Sequence, residues 1–109
     1  MWSPNPEPRR RFADEHAVRH LHDTCEALLG DPAVDVVYVA SPHSAHMGNS
    51  LAALQAGKPV LCEKPFCINA GQARQVIAAA RGGKLFLVEA MWTRFFPLMA
   101  QAGSVGYRR

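Results

Sequence analysis

VDVVYVA, residues 34–40, is almost continuously apolar and rich in β-branched side chains. Such a run fits a strand buried on both faces, as in parallel sheets flanked by helices. It stops at Ser41-Pro42, and a helical stretch within residues 45–56 follows, carrying Leu51, Ala52 and Leu54. Gly57 stands where a left-handed helix terminator belongs. A second short apolar run, PVLCE, predicts a strand over residues 60–63. Asn69 then has the form of a helix cap, with Gln72 three residues on in capping-box position. Ala73, Val76, Ile77 and Ala80 recur at i, i+3, i+4 and i+7, giving a helix over residues 69–81 one apolar face. Gly82-Gly83 ends that helix, and LFLVEA supplies a third strand over residues 85–89.

Strand, helix, strand, helix, strand at this spacing makes two βαβ crossovers that share the middle strand. The fold class is therefore α/β, a doubly wound parallel sheet with right-handed crossovers and helices packed on it. Toward the amino end, residues 12–19 read as a short helix. Asp23 or Thr24 caps another, which ends at Gly30-Asp31-Pro32. Pro4, Pro6 and Pro8 make residues 1–11 an expected loose tail. Beyond Pro97 the pattern dissolves, and no internal repeat is found.

At 109 residues the chain is at most one small domain with a single core. A hydrophobic content of 49% suits a folded chain. No apolar run approaches the roughly 20 residues of a membrane span, and MWSPNPEPRRRF is not a secretory signal. The net charge is only +3, with basic residues at the two ends, residues 9–11 and Arg108 with Arg109. Nucleic-acid binders concentrate such residues on one element with aromatics between, so neither nucleic acid nor membrane is an expected partner. Cys25, Cys62 and Cys67 are odd in number and lack paired spacing, which suits a reducing, cytoplasmic setting and thiols used as small core residues.

In open α/β sheets ligands bind beyond the carboxyl ends of the strands. Three such ends are visible: Ser41-Pro42-His43, Glu63-Lys64-Pro65, and Glu89 through Trp92. All three should open on one edge. By composition alone, Glu-Lys-Pro after a strand reads as a solvated turn. His16, His20 and His22 invite a metal, but no carboxylate or cysteine completes a closed set, and no metal is expected. Trp92 is singled out as a pocket residue, while Phe95 and Phe96 are expected to be core aromatics.

A strand ending in S/T-P-x-x-x-H, followed about fifteen residues later by AGKPVLCEKP, resembles the Gfo/Idh/MocA family of NAD(P)-dependent oxidoreductases. EAMWTRFFP is similar to the branch of that family that oxidises dihydrodiols and sugars. The likeness runs from about Phe12 through Pro97. It implies a Rossmann domain, partial here because its first strands are missing, with residues 12–92 as its carboxyl-terminal part, followed by a substrate domain that residues 93–109 begin. It implies hydride transfer between a secondary alcohol carbon and nicotinamide, with NADP or NAD as cofactor and a homodimer as the family's assembly. Carried onto matching positions, Lys64 is the catalytic lysine and Glu63 fixes the nicotinamide ribose and that lysine. Ser41, Pro42, His43 and His46 lie beside the cofactor, Arg94 near cofactor or substrate, and Trp92 lines the substrate pocket. The likeness also suggests a cis Lys64–Pro65 bond.

The residue types suit that chemistry. An ammonium stabilises a developing alkoxide, and a lysine can shuttle the hydroxyl proton. Cys62 and Cys67 flank the lysine, yet the family works without thiols, so structural roles are expected for them. Two departures stand out. No G-x-G-x-x-G triplet is present to cradle a pyrophosphate, and little follows MWTRFFP in which a substrate domain, with its further acid/base residue and dimer-forming sheet, is accommodated. The chain is thus expected to be a fragment that alone binds NAD(P) poorly and turns over nothing. The alternative is a non-catalytic nucleotide-binding remnant or association module. Trans-dihydrodiols and pyranoses such as xylose both remain compatible substrates.

Overall fold

The computed structural model of the chain describes residues 1–99 and Gln101. Arg108, Arg109 and the rest of the final stretch lie outside the described residues. Three short strands, β1 (Val37–Val39), β2 (Val60–Cys62) and β3 (Leu87–Glu89), form a parallel sheet in the order β1-β2-β3. Val37 pairs with Val60 and Val60 with Leu87, so Val39, Cys62 and Glu89 end level with one another. The strands are shorter than the sequence suggests, β1 at both ends, β2 at its carboxyl end and β3 at its amino end, but their places and direction agree with it.

Helices α1 (Pro6–Glu15), α2 (Cys25–Gly30), α3 (His46–Gln55) and α4 (Ala70–Gly82) accompany the sheet. α3 and α4 are the two crossovers, and they pack against each other over the sheet. Their contact with it forms the core: Val39, Ala53, Leu54, Val60, Cys62, Val76 and Ala80. Consecutive right-handed crossovers running in one direction must lie on the same face. Among the described residues the other face is therefore open, and Val36, Tyr38 and Phe86 are exposed on it. This corrects the expectation that residues 34–40 are buried on both sides.

Local chemistry explains the helix ends. Thr24 and Asn69 accept hydrogen bonds from the Ala27 and Gln72 backbone amides, as expected of N-caps. The Gln72 side chain reaches back, but to the Ile68 N–H, one residue outside a standard capping box. α3 ends in a Schellman motif: Gly57 N–H donates to Leu54 and Lys58 N–H to Ala53, with Gly57 at φ +75°. α4 ends in the same way, yet there the left-handed residue is Lys84 (φ 53°) rather than either preceding glycine.

The amino-terminal segment differs from expectation. Residues 1–11 are not a loose tail, because α1 begins at Pro6 and stops at Glu15, short of the expected Arg19. Proline is favoured in a first helical turn, where its missing N–H needs no partner. Arg9 then anchors the segment. It is buried, donates to the Ser3 and Asp23 carbonyls at 3.0 Å, and pairs with the Asp23 carboxylate at 2.6 Å. His20 and His22 both approach Asp31, at 3.6 and 3.3 Å. Spacing alone did not show that carboxylate. No set of metal-ligating side chains is found among the described residues, and no helix there is long and apolar enough to cross a membrane.

The core predicts an asymmetry along α4. Val76 is fully buried whereas Ile77 is partly exposed. Val76→Ala should lower unfolding free energy by about 2 kcal/mol through lost burial and a residual cavity. Ile77→Ala should cost clearly less, as measured by urea denaturation of the two variants.

Candidate functional site

Parallel, level strand ends bring three loops to one edge of the sheet. Ser41, Pro42 and a 3₁₀ turn over His43–Ala45 follow β1. Glu63 and Lys64 follow β2, and Ala90 and Met91 lead from β3 into a second 3₁₀ turn, Trp92–Phe95. Lys64, Pro42, His43, Trp92 and Arg94 are exposed there, and Ser41 and Glu63 are half-buried. The Lys64–Pro65 bond is cis, as the resemblance suggested.

His46 is the exception among the expected ligand-side residues. It is fully buried, with Nε2 2.8 Å from the Ser41 carbonyl and Nδ1 2.9 Å from the Pro65 carbonyl. A carbonyl can only accept, so a ring N–H donates to at least one of the two, and His46 stands between the β1 loop and the β2 loop inside the fold. Its ring also stands edge-on to His43, with centroids 5.5 Å apart. Asn49 adds a tie within the β1 loop by donating to Ser41 Oγ at 3.0 Å.

The Lys64 turn is held from two further sides. The Phe66 N–H donates to Glu89 Oε1 at 2.8 Å, which fastens the turn to the end of β3. Glu63 Oε2 accepts the Lys64 backbone N–H at 3.0 Å, while its Oε1 accepts the Tyr38 hydroxyl at 2.6 Å. These bonds hold the Glu63 carboxyl below its usual range, the phenol contributing most and the Lys64 amide next. Reciprocally, the bond to Glu63 raises the Tyr38 phenol above its ordinary value. Burial raises the Cys62 and Cys67 thiols, so both stay protonated and poorly nucleophilic, consistent with structural roles.

Sequence reasoning missed Tyr38, Glu89 and Asn49. Tyr38 lies opposite Leu61, two residues before Glu63 on the same face, and only strand register reveals that diagonal. Phe95 and Phe96 are exposed rather than core, because they follow the last strand and project beyond the sheet edge. Phe96 instead packs edge-on against Trp92, centroids 5.0 Å apart. Beside the β1 loop a hollow of about 520 Å³ is lined by Trp2, Leu28, Val39, Ser41, Pro42 and Asn49. A somewhat larger one, about 600 Å³, lies near the amino ends of the strands by Glu26, Pro32 and Lys58, away from these groups.

Residues 1–90 match an oxidoreductase family described as having an NAD-binding Rossmann fold. The chain is 53% identical over 85 residues to the NADP-dependent D-xylose 1-dehydrogenase of Hypocrea jecorina, covering 72% of this chain and 22% of that one. It is 44% identical over 96 residues to the trans-1,2-dihydrobenzene-1,2-diol dehydrogenase of Sus scrofa, covering 88% and 29%. An NAD-binding oxidoreductase from Klebsiella pneumoniae superposes with a TM-score of 0.87 at 30% identity, over 97% of this chain and 28% of the other. The chain thus spans less than a third of the length of these relatives.

Two outcomes follow from the site's bonding. His46→Ala removes the partner of two loop carbonyls at once and should destabilise the fold by about 2–4 kcal/mol, read by urea denaturation. Glu63 is depressed below its ordinary value of about 4.5, so its contribution to stability is present above that value. It is lost as pH falls through the lower, folded-state value. The difference in melting temperature between the wild-type chain and Glu63→Gln should accordingly shrink as the pH is taken down from 6 to 3.

Proposed function

We propose, from the premise that this chain belongs to the Gfo/Idh/MocA oxidoreductase family with its NAD-binding Rossmann fold, that its strand-end mouth serves hydride transfer between a secondary alcohol and a nicotinamide cofactor. The observation that carries this is the convergence of Glu63 and Lys64 with Ser41 and Trp92 at the carboxyl edge of a parallel sheet. Ligands of open α/β sheets bind at that edge.

The residues present suit the nicotinamide end of NADP or NAD. They offer an ionised carboxylate, an exposed ammonium and an exposed indole. Glu63 would hold a ribose hydroxyl, with Ser41, Pro42 and His43 along the cofactor's side and Arg94 toward cofactor or substrate. His46 acts from within, by fixing the loops. A pyrophosphate-binding G-x-G-x-x-G does not occur in these 109 residues, so no residue of this chain is assigned to the pyrophosphate. When bound, the nicotinamide supplies the hydride chemistry. Acting as a base, the Lys64 side chain would have to be the neutral amine, which takes the alcohol proton; the ammonium so formed then stabilises charge on the oxygen as the hydride leaves. Trp92 provides an apolar wall against the carbon skeleton.

A dihydrodiol or a sugar such as xylose is the proposed substrate, on the strength of the two named relatives. NADP is favoured by the name of the first. Residues 12–92 would form the carboxyl-terminal part of the nucleotide-binding domain, with residues 93–109 leading into the substrate-binding part. Homodimerisation, implied by the family, belongs to the same proposal. So does a cytoplasmic setting, which the three free cysteines suit.

A segment exchange tests the proposal. Residues 12–97 replace the aligned stretch of the Hypocrea jecorina enzyme, and NADP-dependent oxidation of D-xylose is measured. Activity should persist, and Lys64→Met in the chimera should lower kcat about 10²–10⁴-fold with a smaller change in KM. A folded chimera without activity, or unchanged turnover in Lys64→Met, favours a non-catalytic nucleotide-binding remnant instead.

A further inference from the structure

Tyr38 sits in the middle of β1 on the open face of the sheet, and more than half of it is exposed (55%). Its ring belongs to no core cluster, so packing does not account for its hydroxyl. That hydroxyl makes one short contact, 2.6 Å to Glu63 Oε1. The other carboxylate oxygen accepts the Lys64 N–H at 3.0 Å. A free glutamate after a strand has several staggered orientations, whereas two donors on different elements select one.

We infer that Tyr38 is a positioning residue for the proposed site: its hydroxyl locks the Glu63 carboxylate into the orientation that fastens the Lys64 backbone. This assignment rests on the oxidoreductase reading of the mouth for its functional meaning, but not for its geometry. Of the two, the phenol is the longer-range tie. It joins β1 to the residue after β2 across a diagonal, from position 38 to position 63. Lys64 itself has an exposed side chain on a turn, so the orientation of its backbone is set by what holds Glu63, Pro65 and Phe66. Pro65 is held through His46 and Phe66 through Glu89. Tyr38 supplies the third hold, and the one that a single oxygen atom removes.

The charged and titratable groups facing Glu63 are Tyr38, Lys64 and His46. Tyr38→Phe deletes only the first of these. It leaves the exposed ring in place and is expected to lower the melting temperature by no more than Glu63→Gln does, and only above the carboxyl's ordinary value. In the ¹³C-labelled chain, the Glu63 carboxylate should titrate at higher pH in Tyr38→Phe than in wild type, and the Lys64 amide proton should lose its dependence on that titration. As a reciprocal measurement, Glu63→Gln in a Tyr107→Phe background leaves Tyr38 as the single tyrosine. Its phenol absorbance should then titrate at lower pH than with Glu63 present. A structural role for the tyrosine ring alone moves neither midpoint.

Function is read separately, by titrating NADPH into the chimera in which residues 12–97 replace the aligned stretch of the Hypocrea jecorina enzyme. The chimera should bind, and Tyr38→Phe in it should need about three- to tenfold more NADPH for half-saturation, the effect of one hydrogen bond. Unmoved Glu63 and Tyr38 midpoints overturn the positioning role, whatever the cofactor does. Equal NADPH dependence in the two chimeras overturns its functional part. If a folded chimera does not bind NADPH while the midpoints move as expected, the positioning geometry stands and the cofactor reading of the mouth fails.

Discussion

Two backbone carbonyls, those of Ser41 and Pro65, converge on the two ring nitrogens of one fully buried histidine, His46. One carbonyl ends the first crossover's entry loop, and the other lies just beyond the lysine. A sheet of three-residue strands fixes little of its end loops, because its backbone hydrogen bonds reach only as far as Glu63 and Ala90, which donate to the Val39 and Cys62 carbonyls. Past that point each loop has its own freedom, and backbone order must come from side chains reaching between them. His46 supplies the central link, Glu89 a second from β3, and Tyr38 with Glu63 a third across the open face. The mouth's shape follows from those three ties.

The same arrangement explains which groups reach the sheet edge and which stay in the core. Cys62 lies next to Glu63 in sequence but points into the core between helix and sheet, where burial keeps its thiol protonated. Glu63 and Lys64, one and two residues on, emerge at the edge, where hydrogen-bond donors keep the carboxylate ionised. Alternation along a strand separates the two roles: Cys62 faces the helices and its neighbours face away.

The two helical crossovers and the opposite face, open among the described residues, share one cause. Right-handed connections between strands taken in sequence order put α3 and α4 on one side. Periodicity located both helices, and Gly57, Thr24 and Asn69 marked their ends correctly, because capping is a local matter of a few backbone groups. At α4 Gly82 and Gly83 also mark the end correctly, although the left-handed position falls to Lys84. The prolines misled, reading as a loose tail where they open α1.

What the sequence by itself determined was the strand–helix alternation, the parallel sheet and hence the single edge at which Ser41, Lys64 and Trp92 emerge. Each of these follows from hydrophobic period and connection length, which are properties of neighbouring residues. The motif around Lys64 also carried the family resemblance and the cis bond that accompanies it. Only the tertiary structure decided that His46 is a buried tie rather than a surface ligand and that Tyr38 reaches Glu63. The same holds for Phe95 and Phe96, which face solvent. Those outcomes depend on register and crossover packing, which bring together residues 19 to 25 positions apart whose spacing has no period to betray it.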